Sequence, residues 1–146
     1  MPLDAVTLQN ELEALFEAPP HTAAGCAGLW AAAMLDYAAD VVPPSTTVSA
    51  AAETLAGALT SAFGSPSAAP AVDAAFTAFA ASVGLGMAPA FAATPPASPL
   101  GIADLLLGSQ PTHAAAAAAF AALIDEWFRT GSAQLVAPPF TVVVWS

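Results

Sequence analysis

The chain has 146 residues, of which 58% are apolar and 8% charged, and eleven acids against the single base Arg129 give a net charge of −10. That is one domain's length, enough for one moderate core. A chain without lysine cannot neutralise a run of phosphates or hold to an anionic membrane by charge, and it is too apolar for a disordered acidic tail.

Forty-one residues are alanine, so much of the hydropathy comes from small side chains. Proline pairs at 19–20, 43–44, 95–96 and 138–139 divide the chain, because proline ends a helix or lies outside one. The first helical segment is predicted over residues 4–16, with Asp4 as N-cap and Leu8, Leu12, Leu15 and Phe16 on one face. The second covers 22–40, with Thr22 as cap and Cys26, Leu29, Trp30, Ala33, Met34 and Tyr37 as its buried stripe. The third covers 45–63, where Val48, Ala52, Leu55, Leu59 and Phe63 repeat at helical spacing and Gly64 follows. The fourth begins at Pro70 and carries Val72, Phe76, Phe79 and Val83 up to Gly84 and Gly86.

A proline-rich loop is expected over 88–101, longer than ordinary connections in bundles, and 102–107 allows one helical turn. The fifth helix is predicted over 112–130, capped by Thr112 and ended by Gly131. Phe120, Leu123, Ile124, Trp127 and Phe128 form its apolar face, and Arg129 can meet Asp125 or Glu126 on its surface. After a loop from Gly131 to Pro139, residues 140–146 give the only clear β signal, with no strand of comparable strength to pair with. The expected fold is therefore an all-α bundle of about five helices over 1–131. Residues 132–146 follow as a C-terminal loop and short strand, read as a docking segment.

The chemistry-bearing residues are sparse. Cys26 permits no intramolecular disulfide and reads as a buried thiol, and with His21 and His113 it makes no metal-ligand cluster. Gly84-Leu85-Gly86 lacks the third glycine and the lysine of a phosphate loop, and no serine sits in a Gly-x-Ser-x-Gly elbow. Asp36 with Asp40, and Glu13 with Glu17, are four apart and read as solvated acids. The aromatic set Trp30, Phe76, Phe79, Phe120, Trp127 and Phe128 has core spacing. No catalytic residue, cofactor or metal is expected. A secretory signal is not expected either, because the acids Asp4, Glu11, Glu13 and Glu17 stand where it needs a positive start.

What a self-contained bundle does not use is the terminal strand, the long loop and the density of alanine. These point to docking on another chain through Phe140, Val142, Val143, Val144 and Trp145, with Arg129 as a further interface candidate. The strand must either pair with the 88–101 segment of its own chain or add to a partner's sheet, and the partner is favoured because that loop's prolines cannot donate to a ladder; on that reading, deleting 140–146 leaves the bundle folded and removes only assembly. The run of six alanines at 114–119, Phe120, Trp127 and Gly131, closing on a valine-rich strand and Trp145-Ser146, resembles small alanine-rich virion proteins of tailed bacteriophages from GC-rich hosts. The resemblance implies a non-enzymatic structural subunit of the neck, tail or baseplate, assembled in the host cytoplasm. Its partners would be copies of itself or other virion proteins, with no membrane and no direct nucleic-acid binding. A negative surface also suits a channel that DNA slides past. The alternative is a small cytoplasmic helical domain that binds a ligand beneath the 88–101 loop.

Overall fold

A computed structural model describes residues 3–146. Its elements run α1 (Ala5–Glu17), α2 (Ala23–Ala38), α3 (Val48–Phe63), α4 (Ala68–Leu85), β1 (Phe91–Thr94), α5 (Ala103–Leu107), α6 (His113–Phe128), β2 (Ser132–Leu135) and β3 (Val142–Val144). The molecule is a helical bundle with a small antiparallel sheet of order β1-β2-β3.

Three helix starts follow from their capping residues. The Asp4 carboxylate accepts from the Val6 and Thr7 amides, Thr22 Oγ1 from Gly25, and Thr112 Oγ1 from Ala115, all at 3.0–3.2 Å. The third start differs from expectation. Ser45 and Thr47 lie outside α3, and their hydroxyls donate to the Val83 and Ser82 carbonyls at 2.6 Å. They satisfy the C-terminal carbonyls of α4, which have no partner within their own helix. Gly86 allows this approach, because a Cβ there would strike both hydroxyls.

Helix α6 packs beside α1, α1 beside α2, α2 beside α3, and α3 beside α4. The row curls until α4 and α6 face each other across Phe79 and Phe128, whose ring centroids are 6.1 Å apart. Alanine lets the helix backbones approach, but leaves space that a few large side chains must fill. They do so in two clusters. At one end of the bundle Trp30 meets Phe16, Phe76 and Phe120 at 5.7–6.2 Å. At the other, Phe128 meets Tyr37, Phe79, Trp127 and Trp145 at 5.0–6.1 Å. Of the expected stripes most positions are buried, but Leu29 is exposed and Phe16, Cys26, Phe63 and Leu123 are partly so. By length and composition α4 could cross a membrane; here its Phe76, Phe79 and Val83 side is packed in the core.

The sheet overturns the reading of the C-terminal strand as unmated. β3 pairs with β2, Val143 opposite Ala133, and β2 pairs with β1, Ala133 opposite Ala93. β2, Ser-Ala-Gln-Leu, has no β-branched or aromatic residue, and β1 has Phe91 and Thr94 on either side of two alanines; both are held in place by tertiary pairing that overrides weak propensity. β1 lies inside the 88–101 segment, where Phe91–Thr94 escapes the flanking prolines. The rest of that loop is packed down. Trp127 Nε1 donates to the Ser98 carbonyl at 2.7 Å, and the Ile102 amide donates to Asp73 Oδ1 at 3.0 Å. Leu100 and Ile102 are buried beneath it.

Trp145 joins sheet to bundle. Its side chain is fully buried, its ring centroid lies 5.0 Å from that of Phe128, and the α-carbon face of Gly131 is pressed against it. Residues 140–146 are thus part of the chain's own core, not a detachable strand. Removing them would open the aromatic cluster, so truncation should unfold the chain. Trp145→Ala should lower stability by about 3–5 kcal/mol. Gly131→Ala, whose Cβ would meet the Trp145 ring at 2.5 Å, should lower it by about 1–3 kcal/mol. Urea unfolding followed by circular dichroism measures both.

Candidate functional site

Apart from Arg129 at the end of α6, the candidate interface residues lie on the β2–β3 hairpin or beside it and divide between its two faces. Successive strand residues alternate across a sheet. Val143 and Trp145 point inward with Ala133, while Val142 and Val144 point outward with Ser132 and Gln134. Trp145 is therefore not available to a partner, and Val143 is partly covered. Val142, Val144 and Phe140 are more than half exposed, and so is Val136 in the connecting turn.

The ladder also leaves main-chain groups at the open side of β3. The Trp145 amide donates to the Gly131 carbonyl at 3.0 Å and the Leu135 amide to the Thr141 carbonyl at 2.9 Å. With Val143 facing Ala133 between them, the alternation of an antiparallel ladder turns the amides and carbonyls of Val142 and Val144 away from β2. The edge is closed farther along. Val42 and Ser146 exchange amide-to-carbonyl bonds in both directions, at 2.8 and 3.2 Å. Pro43 and Pro44 follow Val42, and prolines beside a strand edge limit further pairing. The open stretch is short, about the length of β3 itself.

At the hairpin tip Phe140 adopts φ 56°, a left-handed conformation that is uncommon for a bulky side chain. Its amide donates to the Ala137 carbonyl at 2.9 Å, and its carbonyl accepts from Gln134 Nε2 at 3.3 Å. These bonds hold the ring at the tip, half exposed. No charged side chain occurs after Arg129, and none occurs from residue 74 to residue 103. The three strands are thus built from uncharged segments of a chain that carries −10 overall.

Arg129 has a structural setting. Its Nε lies 2.9 Å from both oxygens of Asp125, and its Nη2 donates to the Leu3 carbonyl at 3.0 Å. Buried Tyr37 donates its hydroxyl to Asp125 Oδ1 at 2.7 Å. Burial and the neighbouring Asp125 push the tyrosine's pKa far above its usual range, and the Asp125 hydrogen bond raises that of Arg129. The network ties α6 to α2 and to the chain start before α1, with Asp125 rather than Glu126 as the arginine's partner.

Other candidate residues are dispersed. His21 and His113 are exposed, one just before α2 and the other at the first residue of α6. The Cys26 thiol is part-buried, and burial raises its pKa. Among the described residues no three His, Cys, Asp or Glu side chains come close enough to hold a metal ion. Glu13 and Glu17 border an open groove with His113 and Gln110. An apolar cavity of about 380 Å³ opens between Phe16, Cys26, Trp30, Phe63, Phe76 and Phe120. Its lining was legible only as core periodicity; nothing in the spacing marks where packing stops short.

Glu11 is a group the sequence did not single out. Its Oε2 is buried without a hydrogen-bond partner, and Asp36 on α2 lies beside it. Burial, reinforced by Asp36, pushes its pKa up to about 7. Compared with protein-family models, characterised proteins and solved structures, the chain matches none.

A carboxyl whose folded pKa is raised favours the folded state below its unfolded pKa, near 4.5, and loses that contribution as pH rises through about 7. The chain should therefore be more stable at pH 5 than at pH 8. Glu11→Gln should flatten this dependence by on the order of 1–2 kcal/mol, allowing for solvent screening at a part-exposed position. Thermal melts across that range measure it. Arg129→Ala should destabilise by about 1–2 kcal/mol, more than an exposed ion pair, because Asp125 and the Leu3 carbonyl both lose a charged donor.

Proposed function

We propose that this chain is a non-enzymatic structural subunit of a tailed-phage virion, a neck, tail or baseplate component that assembles by subunit–subunit contacts. The observation that carries the reading is the open side of β3. There the outward main-chain groups of Val142 and Val144 accompany exposed valine side chains, with Phe140 at the hairpin tip. The occupant is an extended segment of a neighbouring subunit laid along β3, the mode in which main-chain bonds give affinity and alternate side chains give fit. Charge supports this choice of surface. Two copies at −10 repel each other, and the uncharged sheet is where they can approach at least cost. The positive φ of Phe140 supports it as well, since strain of this kind concentrates at binding sites. The short edge suits a contact repeated around a ring, where each copy adds a modest term.

A second reading, a small cytoplasmic helical domain that binds a ligand, is favoured by a different observation, the apolar cavity among α1, α2, α3, α4 and α6.

The assembly reading is tested at the edge. Val142→Lys and Val144→Lys place charged groups outward, where they disturb no side chain of the core. Each should change stability by under about 0.5 kcal/mol. The doubly substituted chain should fold but fail to enter particles or rings, as judged by sedimentation and by proteomics of purified virions. Normal incorporation would reject the edge as the docking surface. Absence of the unaltered chain from particles of its source phage would reject the virion role itself.

A further inference from the structure

The cavity lies at the end of the bundle opposite the sheet. It is walled by the C-terminal part of α1, the first turns of α2 and α4, the last turns of α3 and the middle of α6. Its volume, about 380 Å³, falls in the range of small-molecule sites. Apolar cavities of about 150 Å³ already stay dry and take up benzene. Alanine-rich helices explain the space: Ala68 stands where a larger residue would close the gap between α3 and α4, and Phe16 and Phe63 are left partly uncovered.

We propose that this cavity binds a small uncharged aromatic molecule. Among the described residues the lining offers no charged side chain, and its polar groups are the Cys26 thiol and the indole N–H of Trp30. A strongly polar ligand would leave water bonds unreplaced there. An anionic ligand such as a fatty acid finds no cation, because Arg129, the chain's only base, is engaged by Asp125 and the Leu3 carbonyl. The ring geometry selects a planar guest. Phe16 and Phe120 meet edge-on with centroids 5.6 Å apart, and Phe76 and Phe120 both meet Trp30 edge-on, at 6.2 and 5.7 Å. A further ring continues this packing with the same edge-to-face contacts. The protonated thiol of Cys26 is a soft neighbour for such a ring and takes no covalent part.

The site is independent of the β3 edge, so its failure and the failure of the assembly reading are separate results. The test titrates the full chain with indole and with N-phenyl-1-naphthylamine, using octanoate and choline as charged counterparts. One saturable site for the neutral probes is expected, with both charged compounds weaker by about tenfold or more. Ala68→Phe, which fills the mouth from the first turn of α4, should weaken the neutral probes by about tenfold. A second readout uses no variant: saturating indole should slow alkylation of Cys26 by N-ethylmaleimide about fivefold or more, as expected for a thiol covered by bound ligand. The absence of saturable neutral-probe binding to the unaltered chain would overturn the proposal. So would equal binding of choline or octanoate, or unchanged thiol reactivity at saturation.

Discussion

Alanine-rich helices cannot fill the space between them, and the structure rests on how a small number of large side chains make up the deficit. The buried faces of the helices interleave alanines such as Ala27, Ala52, Ala75 and Ala117 with larger side chains. The central gap between α4 and α6 is then left to Phe79 and Phe128, and to the rings around them. Each such ring buries more apolar surface than several alanines, so the loss of one is felt across several elements at once. Trp145 is the extreme case. It arrives from the end of the chain, fills the space beside Phe128, and requires that residue 131 have no side chain.

That same constraint explains the form of the sheet. With Trp145 fixed on the bundle, β3 is held antiparallel to β2, and β2 in turn aligns β1 above α4. The inner face is small and apolar, with Ala93, Ala133 and Val143. The outer face keeps its valines exposed, as nothing among the described residues covers them. The sheet's two sides therefore differ: one completes the core, and the other stays exposed. The proline-rich connection between β1 and α6 is likewise pinned, through Trp127 and Asp73, rather than free to act as a lid.

The opposite end of the bundle shows what happens when the large side chains run short. Phe16, Trp30, Phe76 and Phe120 pack edge to face but do not close the volume between α2, α3 and α4. A void in a core costs stability unless something occupies it. The Glu11 carboxyl, part-buried beside Asp36 with its Oε2 unpaired, is a second local cost, and it is smallest when the group is protonated. The second feature makes the bundle's stability depend on pH.

The sequence by itself determined the helices. Their 3-4 apolar spacing, the caps Asp4, Thr22 and Thr112, and the proline pairs between them are local features, and local physics reads them directly. It also marked residues 142–144 as a strand, because three β-branched residues in a row favour extended backbone. It could not show that Ser132–Leu135 and Phe91–Thr94 are strands, since Ser-Ala-Gln-Leu and Phe-Ala-Ala-Thr have weak local preference and become extended only through pairing. Nor could it separate Trp145 from the valines before it. Alternation assigned them to opposite faces, but which face is buried depends on where Phe128 and Gly131 stand in three dimensions. The cavity and the raised pKa of Glu11 belong to the same class. Both arise where side chains from separate helices fail to meet or meet badly, and only the tertiary structure brings them together.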